Sequence, residues 1–117
     1  MTWLMRNYKW QKERGLLENF SIDTEVRNLL EEIDELKGAK NDNDAIDALC
    51  DIIVFATAAI MKKGYKVNDC MNETFKELES RTGSIGADGK FYKDTSDAAK
   101  ARWYKADYSK YKMEEPG

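Results

Sequence analysis

The chain contains no histidine. That absence removes the commonest zinc ligand and general base, and with it every Ser-His or Cys-His nucleophile pair. Proline occurs once, at position 116, so nothing upstream is barred from helix. Cysteine occurs twice; Cys50 and Cys70 form no CxxC pair, stand near no other soft ligand, and read as reduced thiols of a cytosolic chain. Long apolar runs are missing too: the longest, Ile52 to Met61, is about half of the ~20 residues a bilayer crossing needs. No cationic segment followed by an apolar one opens the chain, so the expectation is a soluble, unexported, cytoplasmic protein without a membrane partner. Positive charge is in deficit: 19 Lys and Arg against 22 Asp and Glu leave a net charge of -3, the wrong sign for binding nucleic acid. With 117 residues, one domain spanning 1–117 is expected.

What the chain does have is helical period. Trp3, Leu4, Tyr8 and Trp10, interleaved with Lys and Arg, predict a first helix over about 3–17, which Gly15 is placed to end early. Asp23 and Thr24 offer N-caps to a second helix over 24–37, where Val26, Leu29, Leu30 and Ile33 recur before Gly38. A polar turn over 39–43 precedes a third helix over 44–63, stopped by Gly64. Because Ile52 to Met61 is apolar all round, this helix is expected to be covered on most sides. A fourth helix over 67–80 carries Cys70, Met71, Phe75 and Leu78, with Asn68 as its cap. The period then stops. Three glycines and the Asp88-Gly89 pair ahead of Phe91 and Tyr92 predict a short hairpin or ordered loop over 83–93, followed by a short helix over 96–104 and a Tyr- and Lys-rich tail within 81–117. The fold class is therefore all-α: a four-helix bundle with an irregular C-terminal extension. So small a chain with so apolar a central helix is expected to be oligomeric, a homodimer or homotetramer.

Charge is distributed unevenly. Glu31, Glu32, Asp34, Glu35, Asp42, Asp44, Asp47 and Asp51 stand against only Lys37 and Lys40, a net of -6 in 21 residues, while the remaining 96 residues sum to +3. Such clustering costs self-repulsion unless a cation or a positive partner offsets it. The spacing is ordered. Glu31, Glu32 and Glu35 fall within an arc of about 100° on the second helix, and Asp44, Asp47 and Asp51 within about 60° on the third. The aspartate face runs on into Ala48 and Phe55, so it points towards protein rather than bulk water. Oxygen ligands from two helices, without His or Cys, suit Mg²⁺ or Mn²⁺ better than zinc, and paired ions of this kind cleave phosphoanhydrides. The competing reading is a solvated acidic surface, which a second acid face on an apolar helix disfavours. An EF-hand over Asp42 to Asp51 is excluded, because Asp47 stands where the loop needs Gly.

These residues resemble the all-α nucleoside triphosphate pyrophosphohydrolases, in particular the short MazG-like proteins of bacteriophages, over most of the chain. Glu31-Glu32-Ile33-Asp34-Glu35-Leu36 looks like the family's ExxE half, and Asp44-Ala-Ile-Asp47-Ala-Leu-Cys-Asp51 like the acidic half on the next helix, with Asp51 matching the terminal Asp. One departure is Ala48, where the common pattern has Glu three residues before that Asp; Asp47 or Asp44 then takes the role. The resemblance implies hydrolysis of a (deoxy)nucleoside triphosphate to monophosphate and pyrophosphate, with Glu32, Glu35, Asp47 and Asp51 binding Mg²⁺, for which Mn²⁺ substitutes. Glu31 or Asp44 would orient the attacking water as general base. The phage members suggest control of the deoxynucleotide pool in the host cytoplasm, with dGTP converted to dGMP.

Ser80, Gly89-Lys90, Lys93 and Lys105-Ala-Asp-Tyr108-Ser109 look like the C-terminal region of the same group, where it closes over substrate. Independently, residues 81–112 hold eight Lys or Arg against four acids, a charge that suits triphosphate oxygens. Lys76, Arg81, Lys93, Lys105 and Tyr108 are the candidate phosphate contacts. The resemblance places the base near the first helix and the start of the second, where Asn7, Trp10 and Phe20 are the candidate base contacts and Trp3 stands beside them; core packing is the competing fate of such aromatics. Two other functions fit the same residues: a non-catalytic nucleotide- or alarmone-binding protein, and a helical module docking a basic partner through its acid patch.

Overall fold

The computed structural model describes residues 1–113, and it is mostly helical. The end of the expected tail, including Pro116, lies outside the described residues. The chain divides into two compact units, Met1–Val67 and Asn68–Gly117.

The first unit holds three helices. α1 (Trp3–Glu13) is capped by the Thr2 hydroxyl, which accepts from the Met5 N–H. It ends four residues before the expected Leu17, and Gly15 takes the left-handed conformation just beyond it, at φ 70°. α2 (Ile22–Lys37) begins earlier than expected, after Ser21, so Asp23 and Thr24 fall inside its first turn instead of capping it. There the Asp23 charge sits favourably against the positive end of the helix. α3 (Asp42–Lys62) starts at Asn41, whose side chain accepts from the Asp44 N–H, and Gly64 stops it at φ 82°.

Antiparallel pairing of α2 and α3 is fixed at both ends. The turn over 38–41 joins them at one end, and at the other Lys62 Nζ reaches Glu25 Oε1 at 2.7 Å, with both side chains nearly buried. α1 lies along α3, where Asn7 Nδ2 donates to the Val54 carbonyl at 3.2 Å. α3 presents small residues at its buried positions, Ala48, Thr57 and Ala58, which allow close approach of its neighbours. The expected covering of α3 on most sides is not met within the chain: most of Ile52 to Met61 is only half-buried, and Ile46, Leu49 and Ile53 are exposed. Two packed helices shield only part of a helix circumference, and α1 and α2 are the elements packed against α3 in this unit.

The second unit is organised around α4 (Val67–Glu79), in which the expected cap Asn68 lies inside the first turn. The expected hairpin forms: β1 (Gly83–Ile85) pairs antiparallel with β2 (Phe91–Lys93), Ser84 opposite Tyr92. Gly89 supplies the positive φ of its turn, at 82°. Of the expected helix over 96–104 one turn forms, α5 (Asp97–Lys100), capped by Ser96. The segment that follows is strapped to α4. Tyr104 N–H donates to Ser80 Oγ at 2.8 Å, and the Tyr104 hydroxyl lies 2.6 Å and 2.9 Å from the two oxygens of Glu73, a fully buried carboxylate. That hydrogen bond pushes the Tyr104 hydroxyl up to about 12. Among the described residues no helix is long and apolar enough to cross a membrane.

The buried Glu25–Lys62 pair gives a direct check on the α2–α3 junction. Lys62→Ala leaves a carboxylate buried without its counter-charge and is expected to cost about 3 kcal/mol in denaturant unfolding. The double change Glu25→Leu with Lys62→Met removes both charges and is expected to recover most of that loss.

Candidate functional site

The buried side of α2 carries two glutamates seven residues apart, Glu25 and Glu32. Two helical turns separate them on one face, yet their surroundings differ in sign. Glu25 has Lys62. Among the described residues Glu32 has no cation, and its Oε2 is buried with no hydrogen-bond partner. Its neighbours are acids: one carboxylate oxygen each of Glu32, Glu35 and Asp51 lie within 4.8 Å of one another. Glu32 and Glu35 are an i, i+3 pair on α2, and Asp51 faces them from α3 because the two helices run antiparallel. Burial, the close approach of the Glu35 carboxyl and then the charges of Glu35, Asp51 and Asp47 push the Glu32 carboxyl up from its ordinary 4.5 to about 7.

An orphaned, buried carboxylate oxygen inside a ring of acids is costly as the protein stands. The donor set fits a hard divalent cation of the Mg²⁺ or Mn²⁺ type: three carboxylates, no sulfur, no imidazole.

The remaining expected acids surround this trio without joining it. Asp47 is exposed, one turn before Asp51, and acts on Glu32 through its charge. Glu31 and Asp44 are exposed at the edges of the two faces, and neither forms an ion pair among the described residues.

A cavity of about 410 Å³ lies between α1 and α3, within the size range of small-molecule sites. Trp3, Trp10 and Phe55 give it aromatic walls, Asn7 and Gln11 give it amides, and Asp51 belongs both to its wall and to the acid trio. Of the expected base contacts, Asn7 and Trp10 line it. Phe20 does not; its ring lies under Lys63 Nζ at 4.8 Å. Gln11 and Arg6 line the cavity and were not among the expected contacts. The signal for Gln11 was its place one turn after Asn7 on the helix that carries Trp3 and Trp10.

The expected phosphate contacts belong to the second unit. Arg81 lies 3.3 Å from Glu77 and over the Trp103 ring, and Lys93 Nζ approaches the same ring at 5.1 Å. The Tyr108 hydroxyl is 2.9 Å from Thr74 Oγ1, and Lys76 and Lys105 are exposed. Arg81 is thus partly neutralised, whereas the three lysines form no ion pair among the described residues.

The raised Glu32 carboxyl sets a pH dependence. Between 4.5 and about 7 the folded chain holds a proton that the unfolded chain has released, so stability falls as pH rises through that window. With chelator present, the melting temperature is expected to drop from pH 5 to pH 8; Glu32→Gln is expected to flatten the drop, and millimolar Mg²⁺ to reverse it at pH 8. Compared with protein-family models, curated proteins and solved structures, the chain finds no match in any of the three.

Proposed function

We propose that this chain is a Mg²⁺-dependent nucleoside triphosphate pyrophosphohydrolase of the MazG-like type, releasing monophosphate and pyrophosphate. The observation that carries the reading is the unpartnered, buried Glu32 oxygen within the Glu32, Glu35 and Asp51 trio, beside a cavity that shares Asp51. A buried glutamate with a structural role has its partner in place, as Glu25 has Lys62 and Glu73 has Tyr104.

Glu32, Glu35 and Asp51 would hold the divalent ion, with Asp47 completing the acidic field. When bound, Mg²⁺ supplies charge neutralisation to the phosphate oxygens. The chain's own groups do the rest. Trp3, Trp10 and Phe55 hold a flat base by stacking, which orients the phosphates towards Asp51. Glu31 or Asp44 takes the proton of the water that attacks the phosphorus, and the bond to the bridging oxygen breaks to free pyrophosphate. The resemblance to phage proteins points to nucleotide-pool control, with dGTP as substrate.

The reading includes a homodimer or homotetramer of four-helix bundles. Ile22, Val26, Leu30 and Ile33 make an exposed stripe on α2, and Ile46, Leu49 and Ile53 one on α3. Contiguous apolar stripes of this extent support association between copies of the chain.

The test is product formation from the eight common NTPs and dNTPs with Mg²⁺, with Mn²⁺ and with chelator. Chelator-sensitive release of pyrophosphate is expected, strongest with dGTP. Glu35→Gln and Asp51→Asn should each lower it about 100-fold or more, from several kcal/mol of lost charge stabilisation, with unchanged helical content. Nucleotide-dependent stabilisation without turnover would replace the hydrolase by a binding protein.

A further inference from the structure

Two side-chain amides in the α1–α3 cavity are locked into one orientation by a carbonyl that has no choice of role. The Val54 carbonyl only accepts, so the Asn7 atom facing it at 3.2 Å is the donating Nδ2. Asn7 Oδ1 therefore faces Gln11, and what it meets there at 3.2 Å is the donating Gln11 Nε2. Gln11 Oε1 is then the free end. No donor among the described residues reaches it, and it is not among the atoms sealed from solvent, although Gln11 as a whole is only 2% exposed. Gln11 lines the cavity. Beside the Asp51 carboxylate, Gln11 thus offers the cavity a neutral acceptor immobilised by a relay that begins at the α3 backbone. Arg6, which only donates, lines the same cavity.

We infer that Gln11 Oε1 is the atom that reads the base. It accepts a hydrogen bond from an N–H on the pairing edge of a purine, while Arg6 supplies a donor to an acceptor on the same ring system. Asn7 is a positioning residue: both ends of its amide are engaged by Val54 and Gln11, so it orients the reader and does not touch the base. The inference rests on the reading of the cavity as a nucleotide site, and it narrows that site to purines that carry an edge donor. A purine without one leaves a desolvated acceptor unpaired, which is the larger penalty in such a site.

The experiment is a titration of the full chain followed by tryptophan fluorescence, since Trp3 and Trp10 line the cavity, with Trp103→Phe as the background in every variant so that only those two report. The probes are guanosine, adenosine and purine-riboside 5′-monophosphates; the last has a bare edge without any N–H and no added bulk. At least one of the first two is expected to bind about tenfold or more tightly than purine-riboside monophosphate. In Gln11→Met the ratio should collapse to within about twofold. In Asn7→Ala it should fall to an intermediate value while overall quenching persists, an effect that loss of packing alone does not produce. Equal binding of all three probes by the chain with Gln11 and Asn7 intact overturns the inference, as does a ratio that survives in Gln11→Met. If no probe binds while chelator-sensitive turnover continues, this inference fails and the hydrolase reading stands. If the ratio appears without turnover on any triphosphate, the inference stands and the hydrolase reading fails.

Discussion

The contrast between two glutamates on one face of α2 organises the first unit. A charge taken out of water needs a partner, and the antiparallel run of α2 against α3 brings Lys62 to Glu25 at 2.7 Å. Two turns further on, the same packing brings Asp51 to Glu32 and Glu35, where like charges converge instead. Both outcomes follow from one register of two helices. Shifting α3 by a single turn against α2 would move Lys62 away from Glu25 and dissolve the acid trio together. The ion pair and the short turn over 38–41 thus hold the register that the trio requires.

The acids and the cavity are coupled through α3. Asp51 belongs to the trio on one side and to the cavity wall on the other, with Val54 and Phe55 one turn later on the cavity side. α1 is tied to this same stretch by the bond from Asn7 to the Val54 carbonyl. A ligand stacked between Trp3, Trp10 and Phe55 would therefore lie against the helix that carries the cluster's third carboxylate. On the proposed reading, affinity for a metal and affinity for an organic group would be linked through Asp51. In the second unit the corresponding fixed point is Glu73, buried in α4 and satisfied from the C-terminal segment by Tyr104.

Much of this architecture was legible in the chain itself. The apolar periods of Val26 to Ile33 and of Cys70 to Leu78 gave helices, and Asp88-Gly89 ahead of Phe91 gave a hairpin. Element ends were less legible, because Asp23, Thr24 and Asn68 suit a first turn as well as a cap, and in the structure they lie in first turns. The acid faces were legible as faces. Which acids converge was not, since Asp44, Asp47 and Asp51 share an arc, and only the crossing with α2 selects Asp51. Gln11, between Trp10 and Lys12, was not among the expected contacts, whereas Phe20 was expected beside the base. Packing of α1 on α3 buried the first, and the second lies under Lys63.

The sequence by itself determined the helical class, the absence of any imidazole and so of any Ser-His or Cys-His pair, and the concentration of carboxylates on two successive helices. Those properties are local: they depend on residue identity and on spacing along one helix. Tertiary structure alone decided which buried acid receives a cation and which is left without one. It also decided that an amide relay from Val54 through Asn7 fixes Gln11, and that Asp51 borders a cavity as well as a cluster. Such facts depend on distances between helices. Side chains four to eight ångströms apart in space come from positions tens of residues apart in sequence, and packing register sets those distances where spacing along a chain does not.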